Sequence, residues 1–149
     1  MIVDFLPSHL LEIDLQPAQK YLEPSLFELG QNYHAMGPAR TIVDGENILC
    51  CCGLLAYPSP VGVKPWKAVV WTMLSNIEQK QFLKIHRGVQ RLLNEFGREF
   101  KRVEATVDID FEQGHRWMKA LGFVVEANRM KYSGLAGDQT LYAKYWNEL

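Results

Sequence analysis

The sequence lacks any long uninterrupted hydrophobic run. Of its 149 residues, 48% are hydrophobic and 22% are charged, and charged residues interrupt every apolar stretch before it reaches the about 20 residues that a membrane-spanning helix needs. Residues 1–7 also lack the basic segment and apolar core of a secretory signal. We therefore expect an ordinary globular protein of the cytoplasm, without a membrane partner and folded as a single domain over residues 1–149.

A cysteine framework is also missing. The three cysteines are consecutive, at Cys50, Cys51 and Cys52, which does not suit ordinary disulfides, and they lack the spacing of about two to four residues that is typical of zinc ligands. We expect no metal site and a reducing compartment. Because the three lie in a predicted core strand, their side chains should alternate between its two faces and pack as small hydrophobic groups.

A surplus of positive charge is absent as well. Sixteen Lys and Arg residues oppose seventeen Asp and Glu residues, which leaves a formal net charge of -1. Since nucleic-acid-binding proteins are usually basic, we expect no nucleic-acid partner. Four cations nevertheless form a stripe on one side of the longest periodic segment: Lys80, Lys84, Arg87 and Arg91. The stripe is interpreted either as the solvated back of a helix or as a site for an acidic protein.

Hydrophobic periodicity predicts an α/β (α+β) fold. Strands are predicted at residues 2–6, 40–43, 46–55, 67–74, 103–111, 123–132 and 140–146, and helices at residues 8–12, 24–36, 75–96 and 112–121. Ser8 is predicted to cap the first helix, and Ser75 with Glu78 has the spacing of a capping box at the start of the longest one. This order of elements predicts helices that cover a largely antiparallel sheet.

Residues 114–123 read Gly-His-Arg-Trp-Met-Lys-Ala-Leu-Gly-Phe, a short helix that closes on Leu-Gly-Phe before a strand. Together with the order of elements, this segment resembles the GNAT superfamily of acetyl-CoA-dependent N-acyltransferases. The longer stretch 104–146 is similar to GNAT-like proteins of short-tailed bacteriophages, some of which are internal virion proteins. The resemblance implies a GNAT-like fold. Gly122 is predicted to end the helix with a positive φ.

The resemblance also implies a loop after the fourth strand that holds the pyrophosphate of acetyl-CoA. The family pattern is Gln/Arg-x-x-Gly-x-Gly/Ala, in which glycines let the backbone approach the phosphates at a helix N-terminus. Residues 74–81 contain no glycine, and Glu78 would repel a phosphate. The 3′-phosphate end of CoA is a further interpretation of the cationic stripe. The candidate cofactor-binding residues are Leu74, Ser75, Asn76, Lys80 and Lys84.

Groups that the family uses for proton transfer are missing from their usual places. Met118 aligns with the tyrosine that commonly protonates the departing thiolate, and Phe111 aligns with an asparagine that often follows the fifth strand. The strand 67–74 contains no carboxylate. The candidate catalytic residues that remain are Asp108, Asp110 and His115, and their alternative interpretation is a solvated strand face and a surface histidine.

Because these signature elements are missing, we expect a phage-encoded GNAT-like protein that acts mainly by binding a host or virion protein, with a degenerate acetyl-CoA site. The alternative is an active acetyl-CoA-dependent N-acyltransferase that modifies a host protein or a small amine. The expected location is the cytoplasm of the infected cell, or the virion. The last strand, with Tyr142, Tyr145 and Trp146, would be able to extend a sheet across a homodimer.

Overall fold

One mixed sheet organises the fold of the computed structural model, which describes residues 1–76 and 79–146. The strands are β1 (Ile2–Asp4), β2 (Ala39–Asp44), β3 (Asn47–Ala56), β4 (Lys67–Leu74), β5 (Arg102–Asp108), β6 (Val124–Gly134) and β7 (Gly137–Tyr145). Their order across the sheet is β1-β2-β3-β4-β5-β7-β6. Neighbouring strands are antiparallel except β4 and β5, which are parallel. The predicted class and order of elements are confirmed.

Helices cover both faces of this sheet. They are α1 (His9–Glu12), α2 (Leu26–Ala35), α3 (Phe82–Phe96) and α4 (Glu112–Ala120), with 3-10 segments at Pro17–Ser25, Gln79–Gln81 and Gly97–Glu99. α3 and α4 pack on one face with Cys50 and Cys52, whereas α1 and α2 pack on the other with Cys51. The predicted alternation of the buried cysteines is confirmed. None of the helices described is long and apolar enough to cross a membrane.

The longest helix begins later than the sequence predicts. α3 begins at Phe82, directly after the 3-10 segment Gln79–Gln81. Ser75 itself is held beside the strands: its N–H donates to the Leu49 carbonyl at 2.9 Å, and it forms a bridge with Leu15. The Ser75 hydroxyl is buried without a hydrogen-bond partner in the part of the chain that is described. The prediction that Ser75 caps this helix is therefore wrong. Glu78, the other half of the predicted capping box, lies outside the described residues.

Three other local predictions also need correction. The predicted helix 24–36 is a 3-10 segment up to Ser25 followed by α2, since Pro24 lacks the N–H that a continuous helix would use. β5 ends at Asp108, because the Phe111 N–H turns back to donate to the Asp108 carbonyl at 2.9 Å. Ser8 makes no side-chain bond to α1.

The Leu-Gly-Phe closure of α4 is confirmed at the level of single hydrogen bonds. Gly122 has a φ of 90°. Its N–H donates to the Lys119 carbonyl, and the Phe123 N–H donates to the Met118 carbonyl, both at 3.0 Å. These two bonds define a Schellman motif, and the apolar contact typical of that motif is available because Met118 and Phe123 share one core cluster.

The last strand lies inside the sheet. β7 has hydrogen-bonded neighbours on both sides, β5 and β6, and Tyr142 is 1% exposed. A strand with two neighbours has no edge to offer to another molecule. The predicted route to a homodimer through Tyr142, Tyr145 and Trp146 is therefore wrong, and the edges of the sheet are β1 and β6.

Candidate functional site

β4 and β5 diverge towards their carboxyl ends. They pair only at the start of β4, as far as Val69 opposite Glu104, although β4 continues to Leu74 and β5 to Asp108. β4 keeps its pairing with β3 as far as Leu74. A wedge therefore opens between the ends of two parallel strands, beside the chain that leads into α3. Ligands of α/β sheets commonly bind at such carboxyl ends, so this wedge is the candidate site.

The backbone of β4 presents hydrogen-bonding groups to this wedge. Ser75 donates its N–H to Leu49 on the β3 side. Because backbone groups of successive strand residues point to opposite neighbours, those of Leu74 and Thr72 point towards β5. Buried amides of this kind need partners. An extended ligand in the wedge would have to bond to them.

The side chain of Gln19, from the 3-10 segment before α2, already bonds to these groups. Its Nε2 donates to the Thr72 carbonyl at 2.7 Å, and its Oε1 accepts from the Leu74 N–H at 2.8 Å. One primary amide thus satisfies an acceptor and a donor on the same edge, as the peptide group of a neighbouring strand would. Sequence reasoning did not identify Gln19, because nothing local distinguishes it from a surface glutamine.

The chain just before Gln19 continues this pairing past the end of β4. The Gln16 N–H donates to the Leu74 carbonyl at 2.9 Å, and the Asn76 N–H donates to the Asp14 carbonyl at 2.7 Å. The segment 14–19 therefore lies along the wedge side of β4. Among the candidate cofactor residues, Leu74 and Asn76 have backbone groups bonded to this segment, and Ser75 lies between them.

The start of α3 carries the remaining candidates, Lys80 and Lys84. They line an open cleft of about 350 Å3 together with Gln81 and Asp44, the last residue of β2. Asp44 forms an ion pair with Lys84 at 3.1 Å and accepts a weak hydrogen bond from Gln81 at 3.4 Å. The bond from Lys84 holds the pKa of Asp44 below its ordinary value. A carboxylate of the protein thus lies beside the first turn of α3, where a phosphate would need positive charge.

His115 and Asp108 meet at the turn between β5 and α4. His115 Nε2 lies 3.1 Å and 3.0 Å from the carbonyls of Asp108 and Ile109, and Nδ1 lies 2.7 Å from the Tyr142 hydroxyl. Facing two carbonyls, Nε2 is assigned the proton, so Nδ1 accepts from Tyr142. The His115 ring therefore links the turn, through Nε2, to Tyr142 of β7, through Nδ1.

The carboxylates of this region have different surroundings. Asp108 is half-buried and accepts a hydrogen bond from Gln139 at 3.1 Å, whereas Asp110 is exposed. Burial, and to a smaller extent the charge of Asp108, raises the pKa of Tyr21. Met118, where the resemblance places a proton donor, is 6% exposed and packed in the core.

No group of three or more metal-ligating side chains occurs among the residues described.

Comparison with known proteins identifies the fold. No protein-family model matches the sequence, and no curated protein does. Among solved structures, smu.2055 from Streptococcus mutans has a TM-score of 0.71 at 19% identity, covering 97% of this chain and 98% of that one. A GNAT superfamily phosphinothricin acetyltransferase from Sinorhizobium meliloti, in complex with AcCoA, has a TM-score of 0.68 at 16% identity, covering 97% and 87%. A GNAT-family acetyltransferase from Bacillus anthracis has a TM-score of 0.67 at 16% identity, covering 97% and 93%.

The chain therefore has the GNAT fold. The residues at the carboxyl end of β4 and at the start of α3 do not fit the acetyl-CoA that this fold implies. Glycine is absent from residues 74–81, the β4 edge is bonded to Gln19 and Gln16, and Lys84 is paired with Asp44.

Proposed function

We propose that this chain is a bacteriophage protein of GNAT fold that acts mainly by binding another protein and whose acetyl-CoA site is degenerate. The observation that carries the proposal is the occupied edge of β4. A ligand that lies along this edge has to displace the bonds of Gln19, Gln16 and Asp14. There are four such bonds, two made by Gln19 and one each by Gln16 and Asp14. Each contributes about 0.5–1.5 kcal/mol, so breaking all four costs about 2–6 kcal/mol of the free energy of ligand binding.

The surface that we propose for protein binding is the tip of the β6–β7 hairpin. Tyr132 and Leu135 are 89% and 86% exposed. Tyr132 has a φ of 56°, a left-handed conformation that costs a residue other than glycine about 1–2 kcal/mol. Asp138 fixes it by accepting from the Tyr132 N–H at 3.0 Å and from Arg129 at 2.8 Å. Strained backbone and exposed apolar side chains are both typical of binding sites.

The phage origin, and with it a host or virion partner, is supported by the resemblance of residues 104–146. Tagged protein recovered from infected cells, and mass spectrometry of purified particles, test the two sources of partner. We expect one specific protein to be enriched and to be lost when Tyr132 and Leu135 are changed to serine. Val61, fully exposed in the loop at the other end of the sheet, gives the control Val61→Ser. Retention of the partner by the Tyr132 and Leu135 variant would contradict the proposed surface.

Acetyl-CoA binding tests the degenerate site. A ligand at one hundred times its dissociation constant stabilises a protein by about 2.7 kcal/mol, and each kcal/mol raises the melting temperature of a domain near this size by roughly 2–4 °C. For millimolar acetyl-CoA we expect a shift below about 1 °C, because the ligand competes with four internal bonds. The variant Gln19→Ala, which leaves the Thr72 carbonyl and the Leu74 N–H for a ligand, should show a larger shift. Gln113→Ala, on the exposed side of α4, is the control.

The second candidate function is an acetyl-CoA-dependent N-acyltransferase acting on a host protein or a small amine. The wedge between β4 and β5 favours it, as does the likeness to a structure in complex with AcCoA. Asp108, Asp110 and His115 are the groups that we propose for proton transfer in that case. A shift of about five degrees or more in the wild type, with release of free CoA when lysate proteins are added, would support this function and contradict the first.

A further inference from the structure

The helical layers on the two faces of the sheet carry opposite charge. The basic layer, defined as Gln79–Gln81 with α3 and α4, contains six Lys and Arg residues and two Glu residues. The acidic layer, defined as residues 9–35 with α1 and α2, contains four Asp and Glu residues and one Lys. The two layers belong to different core clusters on opposite faces. A net charge of -1 therefore conceals a strong separation of charge across the molecule.

Some of these charges form no ion pair with the residues that the structure describes. Arg87 and Arg91 are exposed on α3 and form no ion pair with any residue in the described ranges. Four residues apart on a helix, they are direct neighbours on its outer side. Glu12 and Glu28 in the acidic layer are likewise exposed and outside the ion pairs described. Each layer thus offers unpaired charge of one sign to an outside partner.

Both layers also expose apolar side chains beside these charges. Leu83 is 53% exposed in the basic layer. In the acidic layer Leu11, next to Glu12, is 59% exposed, and Phe27, next to Glu28, is 63% exposed. A contact between the layers would therefore bury apolar area as well as pair charges, as protein interfaces do.

We propose that the basic layer of one molecule binds the acidic layer of a second copy. The contact joins two different surfaces, so it is heterologous and leads to short open chains. The outer side of the basic layer is about 22 Å long, the length of α3, and roughly 20 Å wide, the width of two helices. The area of such a contact is at the small end of the range for specific protein interfaces. The association is therefore weak. Physiological salt weakens it further, because the Debye length of about 8 Å screens the attraction between the two layers.

The second copy fits this layer better than a nucleic acid does. A phosphate backbone would use the basic layer alone and would leave Leu83 without an apolar partner. Glu95 and Glu112 also belong to this layer and would repel phosphates. The acidic layer of a second copy offers both carboxylates and apolar side chains.

Sedimentation velocity at low ionic strength tests this inference. In about 10 mM salt, where the Debye length is about 30 Å, the weight-average mass of the wild type should rise with concentration, and about 0.3 M salt should return it to the monomer mass. Arg87→Glu with Arg91→Glu should stay monomeric, as should Glu12→Lys with Glu28→Lys. An equimolar mixture of these two variants should associate again, because the first keeps an intact acidic layer and the second an intact basic layer.

A third variant controls for net charge. Lys101→Glu with Lys131→Glu makes the same change of four charges as Arg87→Glu with Arg91→Glu, but at exposed residues outside both layers. Because both of its layers are intact, it should associate like the wild type. Loss of association in this control variant, or a wild type that stays monomeric at every concentration in low salt, would overturn the inference. Binding of duplex DNA by the basic layer without self-association would also overturn it.

These masses are measured without acetyl-CoA and without any other protein. The self-association therefore stands or falls independently of the proposed function.

Discussion

Replacing Gly122 by alanine tests the structural reason for the Leu-Gly-Phe signature. Gly122 has a φ of 90° in the Schellman motif that ends α4, and a left-handed backbone costs an L-residue with a Cβ about 1–2 kcal/mol. The added Cβ would also lie 3.1 Å from Lys144 Nζ and 3.5 Å from its Cε. Both effects act on the folded state.

The contact with Lys144 adds a second loss. Lys144 Nζ donates to the Leu121 carbonyl at 2.6 Å, and the end of this flexible side chain has to move away from a new Cβ. Losing the bond costs about 0.5–1.5 kcal/mol, while the lower entropy of an unfolded chain with alanine returns about 0.4–1 kcal/mol. The net expectation for Gly122→Ala is a destabilisation of about 0.5–3 kcal/mol, or a fall in melting temperature of roughly 1–12 °C.

Urea and thermal unfolding measure this difference, with Gly62→Ala as the matched control. Gly62 has a φ of 82°, and a Cβ there would meet nothing within 4 Å. The control therefore carries the backbone cost without the displacement of Lys144. If Gly122→Ala proved as stable as the wild type, or less destabilised than Gly62→Ala, the assignment of this glycine to a strained and crowded helix end would be refuted.

Two further predictions concern titratable groups. The three cysteines should not react with a thiol reagent at pH 8 until urea is added, because burial raises the pKa of Cys51 to about 12. Stability should fall as acid titrates the carboxylates around Arg102. The bond from Arg102 holds the pKa of Glu126 low. At Glu104 burial would raise the pKa, but hydrogen bonds from Arg102 and Tyr57 and the charges of Arg102 and Lys67 together lower it. Since the folded pKa values are depressed, this stability is present above about pH 4.3 and is lost as the pH falls. Glu126→Gln should flatten the acid limb of a plot of melting temperature against pH, and an unchanged limb would contradict this reasoning.

The elements that the sequence predicts well are those whose signals are local. The predicted bounds of β4 match Lys67–Leu74, and the gap predicted between the strands 40–43 and 46–55 is a turn in which Gly45 has a φ of 63°. Each depends on alternation or turn chemistry within a few residues. The start of α3 was not predictable in this way, because Ser75 looks like a helix cap but is held in an extended conformation by Leu49 and Leu15.

The site depends on contacts between residues far apart in the sequence. Gln19 lies 53 and 55 positions from Thr72 and Leu74, and no pattern in either segment predicts that a glutamine side chain will take the place of a neighbouring strand. The wedge that it occupies is equally invisible in the sequence, because the composition of β4 and β5 does not reveal where two parallel strands diverge. The sequence could show that residues 74–81 lack the glycines of the family pattern. It could not show that Gln19 and Gln16 bond to the edge of β4.

Asp44, at the end of β2, pairs with a cation of α3 that is far from it in the sequence. In the sequence Asp44 merely follows the predicted strand 40–43, and Lys84 belongs to the cationic stripe and to the candidate cofactor-binding residues. The sheet places the end of β2 beside the first turn of α3, so the two form an ion pair at 3.1 Å. A helix start without glycines holds a phosphate less closely, and a cation there would carry positive charge without a ligand. The carboxylate of Asp44 supplies that negative charge from within the chain. The absence of glycine from residues 74–81 and the presence of Asp44 therefore both support the proposal that this site is a degenerate acetyl-CoA site.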